Sequence, residues 1–138
     1  AEKHRAGAGG VAGRQASLRH CLSVARTVGA SVVAGPFYAP TGVTWRMSAG
    51  ERADATAELR ASLAPLAAEA ADAGSTLAIE PLNRYETSLI NTVAQGLDAL
   101  GPLLGPGLGL ALDSYHLNIE EQRPARAIRA AGSAIAYV

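Results

Sequence analysis

The sequence contains few of the features that mark secreted, membrane-spanning or nucleic-acid-binding proteins. A single cysteine, Cys21, among 138 residues excludes an internal disulfide framework and is typical of a reducing cytoplasm, where we expect this protein. Apolar runs are broken by Gly, Pro or charge within about ten residues, well short of the roughly 20 that a membrane helix needs. The formal net charge is zero, and the lack of a basic stripe argues against a nucleic-acid partner. Residues 1–5 are charged and precede no apolar signal core. We therefore expect neither a membrane nor a nucleic acid as partner.

Helical and strand-like patterns alternate along the chain. Four helices are predicted over residues 12–28, 48–74, 92–104 and 124–132, with a loop through residue 121 before the last. The S-x-x-E spacing of Ser48 and Glu51 and the matching pair Thr92 and Gln95 are typical of capping boxes. Pro65 lies inside the second helix, where a bend or a break is expected.

Strands are predicted over residues 30–34, 76–80, 109–113 and 134–138. Strands separated by helices of this length favour right-handed crossovers and a parallel sheet, so the fold class is α/β. No linker divides the chain, and residues 1–138 are expected to form one domain.

Two of the predicted strands end in a carboxylate. Alternation puts Ala78 and Glu80 on one face, opposite Leu77 and Ile79, and it puts Asp113 on the small-residue face of the next strand. Parallel α/β folds collect active-site groups at the carboxyl ends of their strands. Two neighbouring carboxylates repel unless one is protonated or a cation lies between them, and a hard divalent ion suits such ligands. Taken singly, each carboxylate is more readily interpreted as a helix N-cap or a solvated turn residue, but the matched pair favours a site.

The residues that follow each carboxylate resemble the ketose 3-epimerases, the tagatose/psicose 3-epimerase group of the xylose-isomerase-like TIM-barrel superfamily. The segments are E-P-L-N-R-Y-E at residues 80–86 and L-D-S-Y-H-L-N-I-E-E at residues 112–121. A looser match extends back through residues 35–38. The resemblance implies part of a (β/α)8 TIM barrel, about four βα units truncated at both ends.

The resemblance also implies roles for particular residues. Glu80 would bind a divalent metal and act as one of two acid/base groups, and Asp113 would be a second ligand. Glu86 and His116 would hydrogen-bond the ketose substrate. The implied reaction is epimerisation at C3 through a metal-bound cis-enediolate. The resemblance favours Mn²⁺, with Co²⁺ or Mg²⁺ as alternatives, and a homo-oligomeric parent protein.

The family also needs a histidine ligand and a second glutamate base on later strands, and an arginine that binds substrate. The chain ends at Tyr137-Val138, just where the histidine of the next strand would be expected. His4 and His20 precede the first strand and are interpreted as surface residues. We therefore expect a fragment with half of the metal site and two unpaired sheet edges, inactive and poorly stable by itself.

The sequence favours a structural interpretation for several other residues. Cys21 lies on the apolar stripe of the first helix and is expected to be buried in the core. Glu120 and Glu121 are expected to be solvated carboxylates or carboxylates at a helix start. For Tyr38 and Trp45, a position in the wall of the sugar pocket and burial under the loop are equally favoured. For Arg84 and Tyr85, substrate binding and structural pairing are equally favoured.

Three other functions stay open. The parent is alternatively another sugar isomerase of the superfamily, of the hydroxypyruvate or inositol-pathway type, although the N-R-Y-E stretch argues against this. A metal-dependent abasic-site endonuclease on the same barrel is disfavoured by the neutral charge. A non-catalytic sugar-binding or interaction module is the third alternative.

Overall fold

Helices and parallel strands alternate throughout residues 10–138, the part of the chain that this computed structural model describes. In chain order the elements are α1 Gly10–Val28, β1 Val32–Gly35, α2 Ala49–Asp72, β2 Thr76–Ile79, α3 Val93–Leu100, β3 Leu108–Ala111, α4 Ser114–Glu120, α5 Pro124–Ala131 and β4 Ile135–Tyr137. Single 3-10 turns, Gly101–Leu103 and Gly132–Ala134, lead into β3 and β4. The predicted α/β alternation is confirmed.

The four strands form one parallel sheet in the order β1-β2-β3-β4, so each strand pairs with the next along the chain. Val33 is opposite Leu77, and Ala78 is opposite Gly109. The β3–β4 register shifts between Leu110 and Ala111. This arrangement is a half-barrel, as expected for part of a TIM barrel.

The two faces of the sheet differ in side-chain size, as the alternation predicts. Large side chains on one face are buried against the helices, with Leu77 and Leu110 from the sheet in the same core as Leu63 of α2. Small residues occupy the other face. A methyl group added at Gly109 would lie 2.7 Å from the Cβ of Ala136 on β4. The strands therefore come together on this face only because its residues are small.

The ends of the helices follow from local chemistry. The Ser48 hydroxyl accepts the Glu51 amide and the Thr92 hydroxyl accepts that of Gln95, so both predicted capping boxes are confirmed. Gly29 and Gly74 follow α1 and α2 with positive φ angles of 76° and 66°. Glycine adopts this conformation without the steric penalty of a side chain, which allows the chain to turn toward the next strand.

Of the bend or break predicted at Pro65, the break is wrong, because α2 continues unbroken from Ala49 to Asp72, and the bend stays a prediction. Proline removes the amide that would bond the carbonyl of Ala61, four residues earlier. Both residues are on the exposed side of the helix. Water can therefore solvate that carbonyl, and the leucines on the opposite side keep the helix against the sheet.

Two further predictions require correction. Residues 114–120, predicted as loop, form the two-turn helix α4, whose first residue follows Asp113. Cys21, predicted as core, is exposed. The buried stripe of α1 contains Leu18, Leu22 and Ala25, and Cys21 lies about 100° around the helix from Leu22. His20 is exposed, as expected, whereas His4 lies outside the described residues. No helix within residues 10–138 is long and apolar enough to cross a membrane.

Candidate metal and substrate site

Glu80 and Asp113 follow the carboxyl ends of the adjacent strands β2 and β3. Together with His116 on α4, each offers a ligand atom, and these atoms all lie within 4.8 Å of one another. Parallel pairing accounts for the proximity of the carboxylates, because it places the ends of neighbouring strands at one edge of the sheet. The structure thus brings together three of the four residues singled out in the sequence.

The electrostatics of this cluster favour a cation. Partial burial raises the pKa of Glu80 above its ordinary value, and the charge of Asp113 adds to the rise, whereas His116 opposes it. Both raising effects disfavour the ionised carboxylate. A divalent ion between the two carboxylates would offset them, and oxygen ligands of this kind suit Mg²⁺ or Mn²⁺.

Asp113 has a structural contact as well as a place in the cluster. Its Oδ1 accepts the amide of Tyr115 at 2.7 Å, which makes it the N-cap of α4. The two interpretations of a carboxylate at a strand end, helix cap and site residue, therefore both apply. The cap orients the side chain and uses only one of its two oxygens.

An open cavity of about 240 Å³ adjoins the carboxylates. Glu80 and Asp113 line it together with the small residues Ala34 and Ala111 and the larger Tyr137. The small residues of the inner face therefore leave space beside the two acids, enough to admit a small polar molecule.

His116 is attached to the loop that follows β2. Its Nδ1 lies 3.1 Å from the backbone nitrogen of Asn83 and 2.9 Å from the Asn83 amide nitrogen. Its Nε2 lies 4.0 Å from Oε1 of Glu80. One ring nitrogen thus contacts the protein, and the other faces the acidic cluster.

Tyr38 supports the same loop through the contacts of its hydroxyl group. Its side chain is buried, and its hydroxyl lies 2.8 Å from the carbonyl oxygen of Ile90 and accepts the amide of Leu82 at 3.1 Å. Burial is the largest of the effects that raise the pKa of Tyr38 far above its ordinary value. Of the two interpretations of Tyr38, the structure supports burial, not pocket-lining. Its contacts reveal a supporting role that no sequence pattern indicated.

Arg84 and Glu120 join this loop to α4. The guanidinium group contacts both carboxylate oxygens, at 2.9 and 3.0 Å, and the Arg84 backbone amide donates to Oε1 at 2.7 Å. The Glu120 side chain is only 6% exposed, so the expectation of a solvated carboxylate is wrong. Because it pairs with Glu120, Arg84 takes part in structural pairing. Glu121, the next residue, accepts a hydrogen bond from the backbone amide of Val93 at 2.8 Å and thereby stabilises the start of α3.

Glu86 lies apart from the cluster. It is half-buried in the β2–α3 loop, its amide donates to the carbonyl of Asn83, and its carbonyl accepts the amide of Gly42. Among residues 10–138, its carboxylate does not belong to the cluster of side chains that could hold a metal ion. Substrate binding by Glu86 stays a prediction.

A parallel half-barrel with two carboxylates and an imidazole at the carboxyl ends of its strands has the layout of a (β/α)8 barrel active site. Residues 10–138 match the family model described as xylose isomerase-like TIM barrel. The chain belongs to this family.

Individual proteins that are similar to this chain are named as 3-epimerases of ketose sugars. The chain is 37% identical over 122 residues to L-ribulose 3-epimerase of Methylomonas sp. (strain DH-1), covering 88% of this chain and 41% of the relative. It is 38% identical over 121 residues to L-ribulose 3-epimerase of Mesorhizobium japonicum, covering 88% and 40%. The crystal structure of D-allulose 3-epimerase from Methylomonas sp. in complex with D-allulose superimposes with a TM-score of 0.77 at 35% identity. That match covers 93% of this chain and 43% of the other. The chain thus spans about 40% of the length of the relatives it matches.

Proposed function

We propose that this chain is part of a divalent-metal-dependent ketose 3-epimerase, with Glu80 as one of its acid/base groups. The observation that carries the proposal is the convergence of Glu80 and Asp113, with His116, to within 4.8 Å at the ends of adjacent parallel strands. The relatives named L-ribulose 3-epimerase support the reaction type. Because the chain spans only part of these relatives, the activity is proposed for the full-length protein.

Glu80 and Asp113 would hold the metal ion. Their carboxylates form a hard oxygen donor set, and the raised pKa of Glu80 is the sign of a site that a cation would stabilise. We propose Mn²⁺, with Co²⁺ or Mg²⁺ as alternatives. When bound, the ion would stabilise negative charge on the carbonyl and hydroxyl oxygens of the substrate, which makes the adjacent C–H acidic.

Glu80 would remove the proton from C3 of the ketose. Its carboxylate lines the open cavity at the carboxyl ends of β2 and β3, where a bound ketose would present its C3 hydrogen. Inversion requires a second acid/base group on the opposite face of the substrate, which the resemblance assigns to a glutamate on a later strand. His116 and Glu86 would hydrogen-bond the oxygens beside the reacting carbon.

Another sugar isomerase of the family is the second candidate. It would use the same carboxylates, but it would move a proton between C1 and C2 of the sugar. The similarity to relatives named for 3-epimerisation favours reaction at C3. No described contact favours an abasic-site endonuclease or a non-catalytic module.

Incubation of the full-length protein with fructose, tagatose or ribulose tests the proposal. With Mn²⁺ present, we expect the C3 epimer of at least one ketose to appear in chromatography, and we expect chelation of the metal to stop its formation. Glu80→Gln should abolish turnover, whereas the matched Glu58→Gln change on α2 should leave it intact. Failure to convert any of the three ketoses with Mn²⁺, Co²⁺ or Mg²⁺ would refute the proposal. Undiminished turnover in Glu80→Gln would exclude Glu80 as the base.

A further inference from the structure

Asn83 makes an unusual double contact with the ring of His116. The residue is 1% exposed, and it follows Glu80 by three residues in the β2–α3 loop. The backbone nitrogen and the amide nitrogen of Asn83 lie 3.1 and 2.9 Å from the same ring atom, Nδ1. Because both nitrogens of a buried asparagine lie near Nδ1, they restrict whether Nδ1 can act as a hydrogen-bond donor or an acceptor.

The orientation of the Asn83 amide is determined by a third contact. Its Oδ1 accepts the backbone amide of Tyr85 at 2.9 Å. A backbone N–H is always a donor, so the oxygen must be on that side and the NH₂ group on the side of His116. The backbone N–H of Asn83 is a second obligatory donor directed at Nδ1. Nδ1 therefore accepts, and it carries no proton.

The proton of the neutral ring is then on Nε2, the nitrogen that faces Glu80 at 4.0 Å. A metal ligand needs an unprotonated nitrogen. If Nε2 bound a metal, the proton would have to move to Nδ1, where it would point at two donors. The distances within the cluster alone would permit His116 to be a third ligand, but the hydrogen bonds of Asn83 oppose it.

We propose that Asn83 is a positioning residue that holds His116 in the Nε2–H tautomer, so that His116 donates a hydrogen bond in the site and does not ligate the metal. The part of this inference that concerns substrate rests on the proposed function. An Nε2–H beside Glu80 is suited to a carbonyl or hydroxyl oxygen of a ketose.

Further hydrogen bonds stabilise both sides of the Asn83–His116 contact, the β2–α3 loop and α4. Arg84, the next residue after Asn83, pairs with Glu120 at the end of α4, the helix that also carries His116. Asn91 donates to the carbonyls of Leu82 and Thr87 and closes the loop around Asn83. The loop and the helix therefore keep the two groups aligned, which is what a fixed tautomer requires.

Nitrogen-15 spectroscopy of the histidine rings tests the tautomer directly in the full-length protein. The His116 signals are assigned by their loss in His116→Gln. The proposal requires an unprotonated Nδ1 and a protonated Nε2 in the metal-free protein, and the same pattern after addition of Mg²⁺. A protonated Nδ1 in either state would overturn it.

Two substitutions test whether Asn83 is the cause. Asn83→Asp replaces the side-chain donor near Nδ1 by an acceptor at the same position, while the backbone N–H donor remains, and we expect Nδ1 to become partly protonated. Asn118→Asp adds the same charge at an exposed residue of α4 and should leave the spectrum unchanged. An unchanged His116 spectrum in Asn83→Asp would refute the role of the Asn83 side chain in setting the tautomer. If that variant does not fold, the wild-type spectrum still decides the tautomer, and Asn83→Ala should show a partial shift.

Kinetics separate this inference from the proposed function. In an active epimerase, Asn83→Asp should lower kcat/KM by about 10- to 100-fold, the range for partners that orient site residues. A full decrease with an unaltered ring spectrum would overturn the tautomer account. A wild-type protein without epimerase activity would refute the proposed function, while the ring spectrum would still confirm or overturn the tautomer.

Discussion

The hydroxyl of Tyr38, in the loop after β1, lies 3.0 Å from the carbonyl oxygen of Glu80 at the end of β2. The same hydroxyl contacts Leu82 and Ile90, at either side of the loop that holds Asn83. One buried side chain thus connects the first strand with the backbone of the proposed base. The position of Glu80 depends on this support as well as on its own strand.

Tyr38→Phe should therefore destabilise the protein. It removes only the oxygen, but it leaves the buried amide of Leu82 and the carbonyl of Ile90 without their partner, at a cost of about 1–3 kcal/mol. Urea denaturation measures the loss. Tyr115→Phe is the matched control, because Tyr115 is exposed and should change the free energy of unfolding little. Equal stability of the two variants would contradict the supporting role of Tyr38.

Asp113→Asn separates the cap of α4 from metal binding. Asparagine caps helices about as well as aspartate, so α4 should persist and the free energy of unfolding should change by less than about 0.5 kcal/mol. The lost charge should weaken Mn²⁺ binding by at least about tenfold, measured by titration calorimetry. Asp98→Asn, at an exposed residue of α3, is the control. Unchanged Mn²⁺ affinity in Asp113→Asn would remove Asp113 from the ligand set.

The Arg84–Glu120 contact predicts a dependence of stability on pH. Burial by itself raises the pKa of Glu120, but the hydrogen bonds and charge of Arg84 outweigh it, so the pKa is lowered overall. A carboxyl group whose pKa is lower in the folded state stabilises the fold above its unfolded pKa of about 4.3, and this stability is lost as the pH falls through the folded value. The stability difference between wild type and Glu120→Gln should be full at pH 7 and should shrink below pH of about 4. A difference that grows on acidification would contradict the pairing.

Gly107 should tolerate no side chain. A methyl group at this position, next to the start of β3, would overlap the backbone carbonyl group of Ala67 in α2. Because backbone must move to admit it, Gly107→Ala should cost about 1–3 kcal/mol or more. Gly105→Ala is the control, since nothing lies within 4 Å of the added group there. Thermal unfolding that does not distinguish the two variants would show that α2 and β3 are not so closely packed.

The sequence predicts the element order and the inward rows of the sheet well, because these depend on local periodicity. Glu80 and Asp113 come together for the same reason, since strand alternation and parallel pairing determine both positions. The contacts that hold the site do not follow from local pattern. Asn83 and His116 are 33 residues apart, and only the packing of the loop against α4 brings them together. The seven residues of α4 are too few for a helical period to stand out in the sequence. The exposed Cys21 shows that the apolar residues of a helix indicate only approximately which of its side chains are buried.

Incorporation of solvent deuterium tests the central claim most directly. The full-length protein is incubated with Mn²⁺ and a ketose that it converts, in D₂O, and the product is examined by proton NMR. Removal of a proton by Glu80 and return of a solvent-derived one predict deuterium at C3 of the epimer, and none in Glu80→Gln. Deuterium at C1 or C2 with hydrogen retained at C3 would contradict the account and would assign the site to a different sugar isomerase.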